Sequence, residues 1–238
     1  MAETSARPAP APTAEARPKR SPADRRRQRE AAIIAATREL FDASGVRDAQ
    51  IEDVAKAVGI NRAIIYRHFT GKEELFALTL VDYLQDLESR LRETDARAAS
   101  SAPDARLSAI TEAFVDFGLE YPAFVDCGVT VLRMGPAILD ELSSSALYRL
   151  GRGMTDCLKC VTEVIEAGNA SGDFAVDDVD QVSNVLYALG LGGLQLARLG
   201  VMVREETPGV PVIASLDAQL VKAQLVASSL ALVRRTDG

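Results

Sequence analysis

Apolar positions change their spacing along this chain, and the changes divide it. Residues 1–23 are rich in Ala, Pro, Ser and charge, as in ARPAPAPTAEARPKRSP, and hold too few large apolar side chains to bury. Such composition predicts a disordered Arg/Pro/Ala-rich tail. From Asp24 helix formers take over, and Ile33, Ile34, Thr37, Leu40 and Phe41 share one helical face up to a stop at Ser44-Gly45. Ile51, Val54, Ala55 and Val58 then fall at i, i+3, i+4 and i+7, which predicts a short amphipathic helix. Gly59 can take the left-handed conformation that closes it, Ile60 can add the apolar contact of a Schellman-type cap, and Asn61 can cap the next helix. In that next helix Ile65 and Phe69, four apart, face the core. Two short helices joined by about three residues make a helix-turn-helix at about residues 50–69.

Beyond residue 77 almost everything reads as helix, with Gly or Pro at the breaks and no sustained alternation for strands. The predicted fold is all-α. An N-terminal three-helix helix-turn-helix head at 24–76 is followed by a larger helical domain at 77–238.

Charge sharpens this division. The chain carries 27 Lys and Arg against 34 Asp and Glu, a net of -7. Residues 1–72 hold 14 against 9, or +5, leaving 13 against 25, or -12, for the rest. A basic end on an acidic body suits a DNA-binding head, although a solvated charge run gives the same count. The three cysteines are an odd number with no apolar leader stretch before them, which predicts a cytoplasmic protein with free thiols. The apolar runs at 185–191 and 225–233 are too short or broken to span a bilayer, so no membrane partner is expected. No enzyme is expected either. His68 is the only histidine, no glycine-rich phosphate loop occurs, and no carboxylate constellation stands out. No cofactor or metal is predicted.

The second helix of the motif presents groups that suit DNA. Arg62 can bond guanine bidentately, Ala63 and Ile64 can meet thymine methyls, and Tyr66, His68 and Lys72 can hold phosphates. Gln50, Asn61 and Arg67 border the same surface. Arg25, Arg26 and Arg27, with Arg17, Lys19, Arg20 and Arg29 around them, can form an arm that follows phosphates or enters the minor groove, or can simply solubilise the tail. Spacing alone is equally that of an ordinary helical hairpin with a surface Tyr and His.

Residues 31–76 resemble the DNA-binding head of the TetR family of bacterial regulators. The resemblance is carried by Ala35 and Phe41, Gly45, IEDVAKAVGI with Asp53, Ala55 and Gly59, IYRHF at 65–69, then Lys72, Leu75 and Phe76. It implies that Gln50 and Lys72 touch the DNA backbone, that Arg62, Ala63 and Ile64 face bases, and that Tyr66 and His68 clamp phosphates. Gln50 stands where threonine is common and Asn61 where serine is common. The resemblance further implies a homodimer on a palindromic double-stranded operator, a small-molecule effector bound in the larger domain, and repression as the default.

The larger domain can be read for both implied properties. Val182, Val185, Leu186, Leu189, Gly193 and Leu196 form one stripe, and Leu216, Leu220, Ala223, Ala227 and Leu230 a second on the last helix. These predict a two-fold four-helix interface, or intramolecular core. Phe114, Phe117, Tyr121, Phe124, Val131, Leu132 and Met134, with Leu158, Val161 and Ile165, predict a pocket for a mostly apolar molecule, and Arg133 an anchor for an anionic group at its mouth. The motive is the pair of helix breaks at Tyr121-Pro122 and Gly135-Pro136. Cys157 and Cys160 lie on one face of a helix expected from Ser144 to Ala167. They fit a redox-sensing regulator or simple packing, and a helical adaptor is the remaining alternative.

Overall fold

Helix ends fall where cap chemistry puts them. The computed structural model describes residues 21–46 and 49–234. Helix α1 (Pro22–Ser44) starts earlier than Asp24 because Ser21 and Asp24 form a reciprocal capping box and Pro22 occupies the first helical position. The basic residues Arg17, Lys19 and Arg20 lie outside the described residues. Helices α2 (Ile51–Val58), α3 (Arg62–His68) and α4 (Lys72–Arg97) follow, then α5 (Pro103–Glu120) and α6 (Pro122–Met134). A 3₁₀ turn (Gly135–Ala137) leads into α7 (Ile138–Glu141), α8 (Ser144–Ser171) and α9 (Val179–Leu199). A hairpin of β1 (Val201–Thr207) and β2 (Val210–Ser215) precedes α10 (Ala218–Val233). Helix α8 runs four residues past Ala167 and stops only at Gly172, which has a positive φ.

The fold class is all-α, and the hairpin is a departure from the helix expected throughout. Val203 pairs with Ile213 across the ladder, the register shifts between Glu205 and Thr207, and Gly209 turns the chain at a φ of 81°. Val203 and Ile213 are 72% and 76% exposed, so this ladder projects from the body rather than packing on it.

Helix α4 is the spine. Leu75, Leu78, Leu80, Val81, Leu84, Leu87 and Leu91 are buried along it, and it packs on α1, α5, α6 and α8. Its burial on several sides explains an apolar face wider than a single stripe. The head rests on α4 through Phe41, whose ring meets Phe76 edge-on at 4.7 Å. Polar ties cross the same boundary. Arg38 of α1 bridges Asp82 and Asp86 and lies 4.3 Å over the Tyr83 ring, and the Tyr83 hydroxyl donates to Asp42 at 2.6 Å. Arg149 of α8 reaches Glu30 of α1 at 2.5 Å. Glu74, in the first turn of α4, accepts from Thr70 and from Ser143, the N-cap of α8.

Residues 122–141 are long and apolar enough, by composition, to cross a membrane, a stretch not singled out from sequence. In the fold this stretch is no continuous helix. It breaks at Gly135, and its Asp126 is paired with Arg198 at 2.6 Å.

Candidate nucleic-acid interface

The turn between α2 and α3 is built as the residues dictate. Gly59 adopts φ 69° and ψ 35°, a left-handed conformation that would strain a side chain-bearing residue. Its N–H bonds the Lys56 carbonyl at 3.1 Å, and the Ile60 N–H bonds the Ala55 carbonyl at 2.9 Å, which is the Schellman pattern. Asn61 Oδ1 accepts the Ala63 N–H at 2.8 Å and so starts α3. Ile65 and Phe69 are buried against the head's core, with Ile51, Val54 and Ala55 beneath α2. Their burial fixes which side of α3 looks outward.

That outward side carries Arg62, Ala63, Tyr66 and Arg67, all exposed, with Ile64 half-buried at its edge. Arg62 is ion-paired with Glu52 of α2 and lies 5.7 Å from the Tyr66 ring centroid. The carboxylate and the guanidinium each stabilise the other's charged form, the hydrogen bond being the main cause. Gln50 is exposed at the N-cap position of α2, and its side chain bonds none of that helix's N–H groups, which leaves the amide available. Lys72 opens α4 half-buried, its ammonium 4.8 Å over the Phe76 ring. Arg25, Arg26 and Arg27 are exposed on the first turns of α1, with Arg27 paired to Asp24 at 2.6 Å.

His68 differs from the others. It is half-buried, and its Nδ1 has no hydrogen-bond partner among the described residues. Burial, with nearby Arg26 and Arg29, holds the imidazole below its ordinary value against an opposing effect from Glu30, so near neutral pH it is uncharged.

A second candidate site lies in the body. Helices α4, α5, α8, α9 and α10 line a half-open apolar cavity of about 70 Å³. Of the pocket residues expected from sequence, Phe114, Leu158 and Val161 line it. Phe117, Tyr121 and Phe124 instead form an aromatic cluster with Tyr83, Phe117 lying 4.8 Å from Tyr121 and 5.2 Å from Phe124. Ile165 is wholly buried. Val131, Leu132, Arg133 and Met134, near the end of α6, do not line the cavity, and Leu132 and Arg133 are exposed. The space therefore does not come from the helix breaks. It lies where Leu84, Leu87 and Leu91 of α4 face Ser183, Leu186, Tyr187 and Gly190 of α9. The α4 leucines follow a stripe that reads as ordinary core, and only their distant partners would have revealed the cavity.

The stripes on the last two long helices divide. Val185, Leu189, Leu196 and Leu220 are exposed, with Ala223 and Ala227 beside them, whereas Val182, Leu216 and Leu230 are half-buried. Leu186 and Leu189 also line the cavity. Gly193 is turned toward its own chain: a Cβ there would fall 2.7 Å from Leu225 Cδ1 of α10. Its small size serves the α9–α10 crossing.

The cysteines are buried. The Cys157 thiol contacts the Leu84 carbonyl at 3.2 Å, and burial pushes it up to about 12. Burial likewise pushes Cys160 up to about 11, and it too contacts a backbone carbonyl, that of Asp156. Thiols so held are poor nucleophiles and poor redox sensors, so the geometry does not favour the redox reading.

Comparison with known proteins agrees with this arrangement. The family model for bacterial regulatory proteins of the tetR family matches residues 33–78. The HTH-type transcriptional activator FasR of Mycolicibacterium smegmatis is 32% identical over 98 residues, 41% of this chain and 42% of the relative. The chain thus aligns with less than half the length of that relative. A tetR-family regulatory protein from Rhodococcus RHA1 superposes with a TM-score of 0.61 at 21% identity, covering 88% of this chain and 99% of the other. RolR in complex with resorcinol gives 0.65 at 18% identity, covering 89% and 90%. These likenesses extend the fold, though not the chemistry, through the larger domain.

Proposed function

We propose that this chain, a member of the TetR family through its head at residues 33–78, is a ligand-responsive transcriptional regulator that binds a palindromic operator as a homodimer. Bound over a promoter it acts as a repressor. The observation that carries the reading is the outward face of α3, where Arg62, Ala63, Tyr66 and Arg67 stand exposed on a helix anchored by Ile65 and Phe69. The N-terminal part of such a helix enters the major groove. Arg62 and Ala63 meet bases, while Tyr66, Gln50 and Lys72 hold the backbone and Arg25 and Arg26 follow phosphates beside them.

The exposed apolar side chains of α9 and α10 support the homodimer. A two-fold dimer presents two recognition helices about one helical turn of DNA apart, or a small multiple of it. The cavity supports the ligand response, since α4 both opens at the head with Lys72 and lines the cavity with Leu84, Leu87 and Leu91. RolR is a relative in fold that binds resorcinol. A ligand releases DNA to the extent that it prefers the head spacing that does not fit the operator.

Fluorescence anisotropy with the gene's own upstream DNA tests the reading. Wild type binds at moderate salt, and Arg62→Ala loses discrimination at one base position in each half-site. Footprinting shows two symmetric protected half-sites. Protection of a single half-site by a monomer refutes the dimeric reading.

A further inference from the structure

The recognition face carries a charge of the wrong sign. Glu52 stands exposed in the first turn of α2, ion-paired with Arg62, the first residue of α3. A surface that meets a polyanion gains affinity from cations and loses it to carboxylates. Helix chemistry alone does not call for Glu52. An acid in the first turn favours the positive end of the helix dipole, and Asp53 beside it fills that role as well. Nor does stability call for it, since the two side chains are 59% and 58% exposed and such pairs contribute little in water. The geometry suits another purpose. The contact runs from Arg62 Nη1 to Glu52 Oε1, so the Nε and Nη2 edge of the guanidinium stays unbonded among the described residues. That edge carries two parallel donors, the form that bonds guanine O6 and N7. From another side the Tyr66 ring, one turn along α3, lies 5.7 Å from the guanidinium carbon. Arg62 is thus held between α2 and its own helix with its base-bonding edge open.

Resting on the proposed contact of Arg62 with a base, we infer that Glu52 is a positioning residue that sets sequence specificity: it tethers Arg62 to one base position and withholds it from the phosphates. Specificity is a difference between affinities for the right and the wrong duplex. An untethered arginine that faces the wrong base swings to a phosphate and recovers part of what it lost. Arg62 with a carboxylate on Nη1 is already neutralised, so it gains little from a phosphate, while its free edge still bonds a guanine. Closing the face against DNA strengthens the pair, because the water that screens it in the free protein is expelled. The carboxylate therefore lowers affinity for every sequence, and lowers it most where no guanine meets Arg62.

For the test, the full wild-type chain first selects its preferred duplex from a randomised pool. Fluorescence anisotropy then measures Kd for that duplex, its single-base variants and a scrambled duplex, from about 50 to 200 mM salt. The proteins are wild type, Glu52→Ala, Arg62→Ala and the double variant. Wild type discriminates at the Arg62 position by roughly 5–150-fold. Glu52→Ala prefers the same duplex but discriminates at that position about 2–10-fold less well, the scale set by releasing one long side chain. It binds the scrambled duplex more tightly, with a salt slope steeper by roughly 0.9, as one added phosphate contact requires. Adding Glu52→Ala to Arg62→Ala changes neither base discrimination nor slope, because no guanidinium is left to release. A Glu52→Ala protein that discriminates as wild type does, whatever its melting temperature, overturns the inference and leaves the pair a structural contact. A loss of discrimination that persists in the Arg62→Ala background, or falls at a base position that Arg62→Ala leaves untouched, also overturns it, since Glu52 then reads a base itself. If Arg62→Ala alters no base position while Glu52 is intact, the base assignment falls and takes the inference with it. A pool from which wild type selects nothing overturns the DNA-binding reading as a whole.

Discussion

Removing the Glu74 carboxylate measures how firmly the head is tied to the body. Solvent reaches only 5% of this residue. Its Oε2 accepts the Thr70 N–H at 2.9 Å and the Thr70 hydroxyl, and its Oε1 accepts the Ser143 hydroxyl at 2.7 Å. Thr70 follows the recognition helix and Ser143 caps α8, so one side chain joins both to α4. A hydrogen bond to a charged acceptor contributes about 1.5–3 kcal/mol net. In Glu74→Ala the two hydroxyls can turn toward water or backbone while the Thr70 N–H cannot, which sets the expected loss at about 3 kcal/mol. For a chain of this length that lowers Tm by roughly 6–12 °C. Glu74→Gln keeps one acceptor oxygen and should lose about half as much. Burial raises the carboxyl's pKa, but the hydrogen bonds from Thr70 and Ser143 outweigh it and hold the group below its ordinary 4.5. The folded value is the depressed one, so this stabilisation is present above about 4.5 and is lost as pH falls through the folded value. Urea denaturation of wild type and both variants from pH 7 down to pH 3 reads all of this. A Glu74→Ala protein within about 0.5 kcal/mol of wild type at pH 7, or an acid limb the same in all three, refutes the reasoning.

Three further outcomes are expected. Arg62→Ala relaxes base preference at one position, whereas Lys72→Ala weakens all sequences alike and lowers the salt slope by roughly one; competition binding against single-base operator variants reads the contrast, and a base-specific effect of Lys72→Ala would reverse the assignment. Leu196→Glu with Leu220→Glu, both on exposed apolar faces, yields a folded monomer by sedimentation velocity with operator affinity greatly reduced, and a variant that stays dimeric sinks the proposed interface. At pH 8 Cys157, pushed up to about 12 from 9.0, holds roughly a thousandfold less thiolate than an ordinary cysteine, so Ellman's reagent labels it only after denaturation; fast labelling of the native protein contradicts the buried geometry.

The head was legible because each of its signals is local. Gly59, Ile60 and Asn61 act within five residues of one another, and the i, i+3, i+4 spacing around Ile51 to Val58 reports one helix against one core. The cavity was less legible because its walls come from residues as far apart as Leu84 and Ser229, and an α4 leucine facing a void has the same spacing as one facing packed core. Arg62 was identified from position, but its engagement by Glu52 ten residues earlier depends on the angle between two helices, which spacing does not encode. Gly193 read as an interface residue because it shares a helical face with Val182, Val185, Leu189 and Leu196, and spacing does not tell a partner subunit from Leu225 of its own chain, which a Cβ there would meet. The hairpin had a readable signal in Pro208-Gly209 between valine-rich runs, which the helical pattern on either side outweighed.

Helix α9 shows why the stripes alone could not be assigned. One side exposes Val185 and Leu196, while the other turns Ser183, Tyr187 and Gly190 into the cavity. A helix apolar on both sides satisfies two demands, and on the proposed reading those demands are the partner subunit and the ligand. The α9–α10 surface would then fix the two bodies relative to each other, leaving α4 as the wall that runs from the cavity to the recognition helix. A ligand wider than the cavity must displace one of its walls, and α4 is the wall that leads to the head. The dimer surface would be held from outside by a second copy, whereas α4 is held only by its own chain, to the head through Phe41–Phe76 and the Arg38 pairs with Asp82 and Asp86 and to α8 through Glu74–Ser143. Strain should therefore relax through α4, and the spacing of the two heads would change while the dimer stays intact.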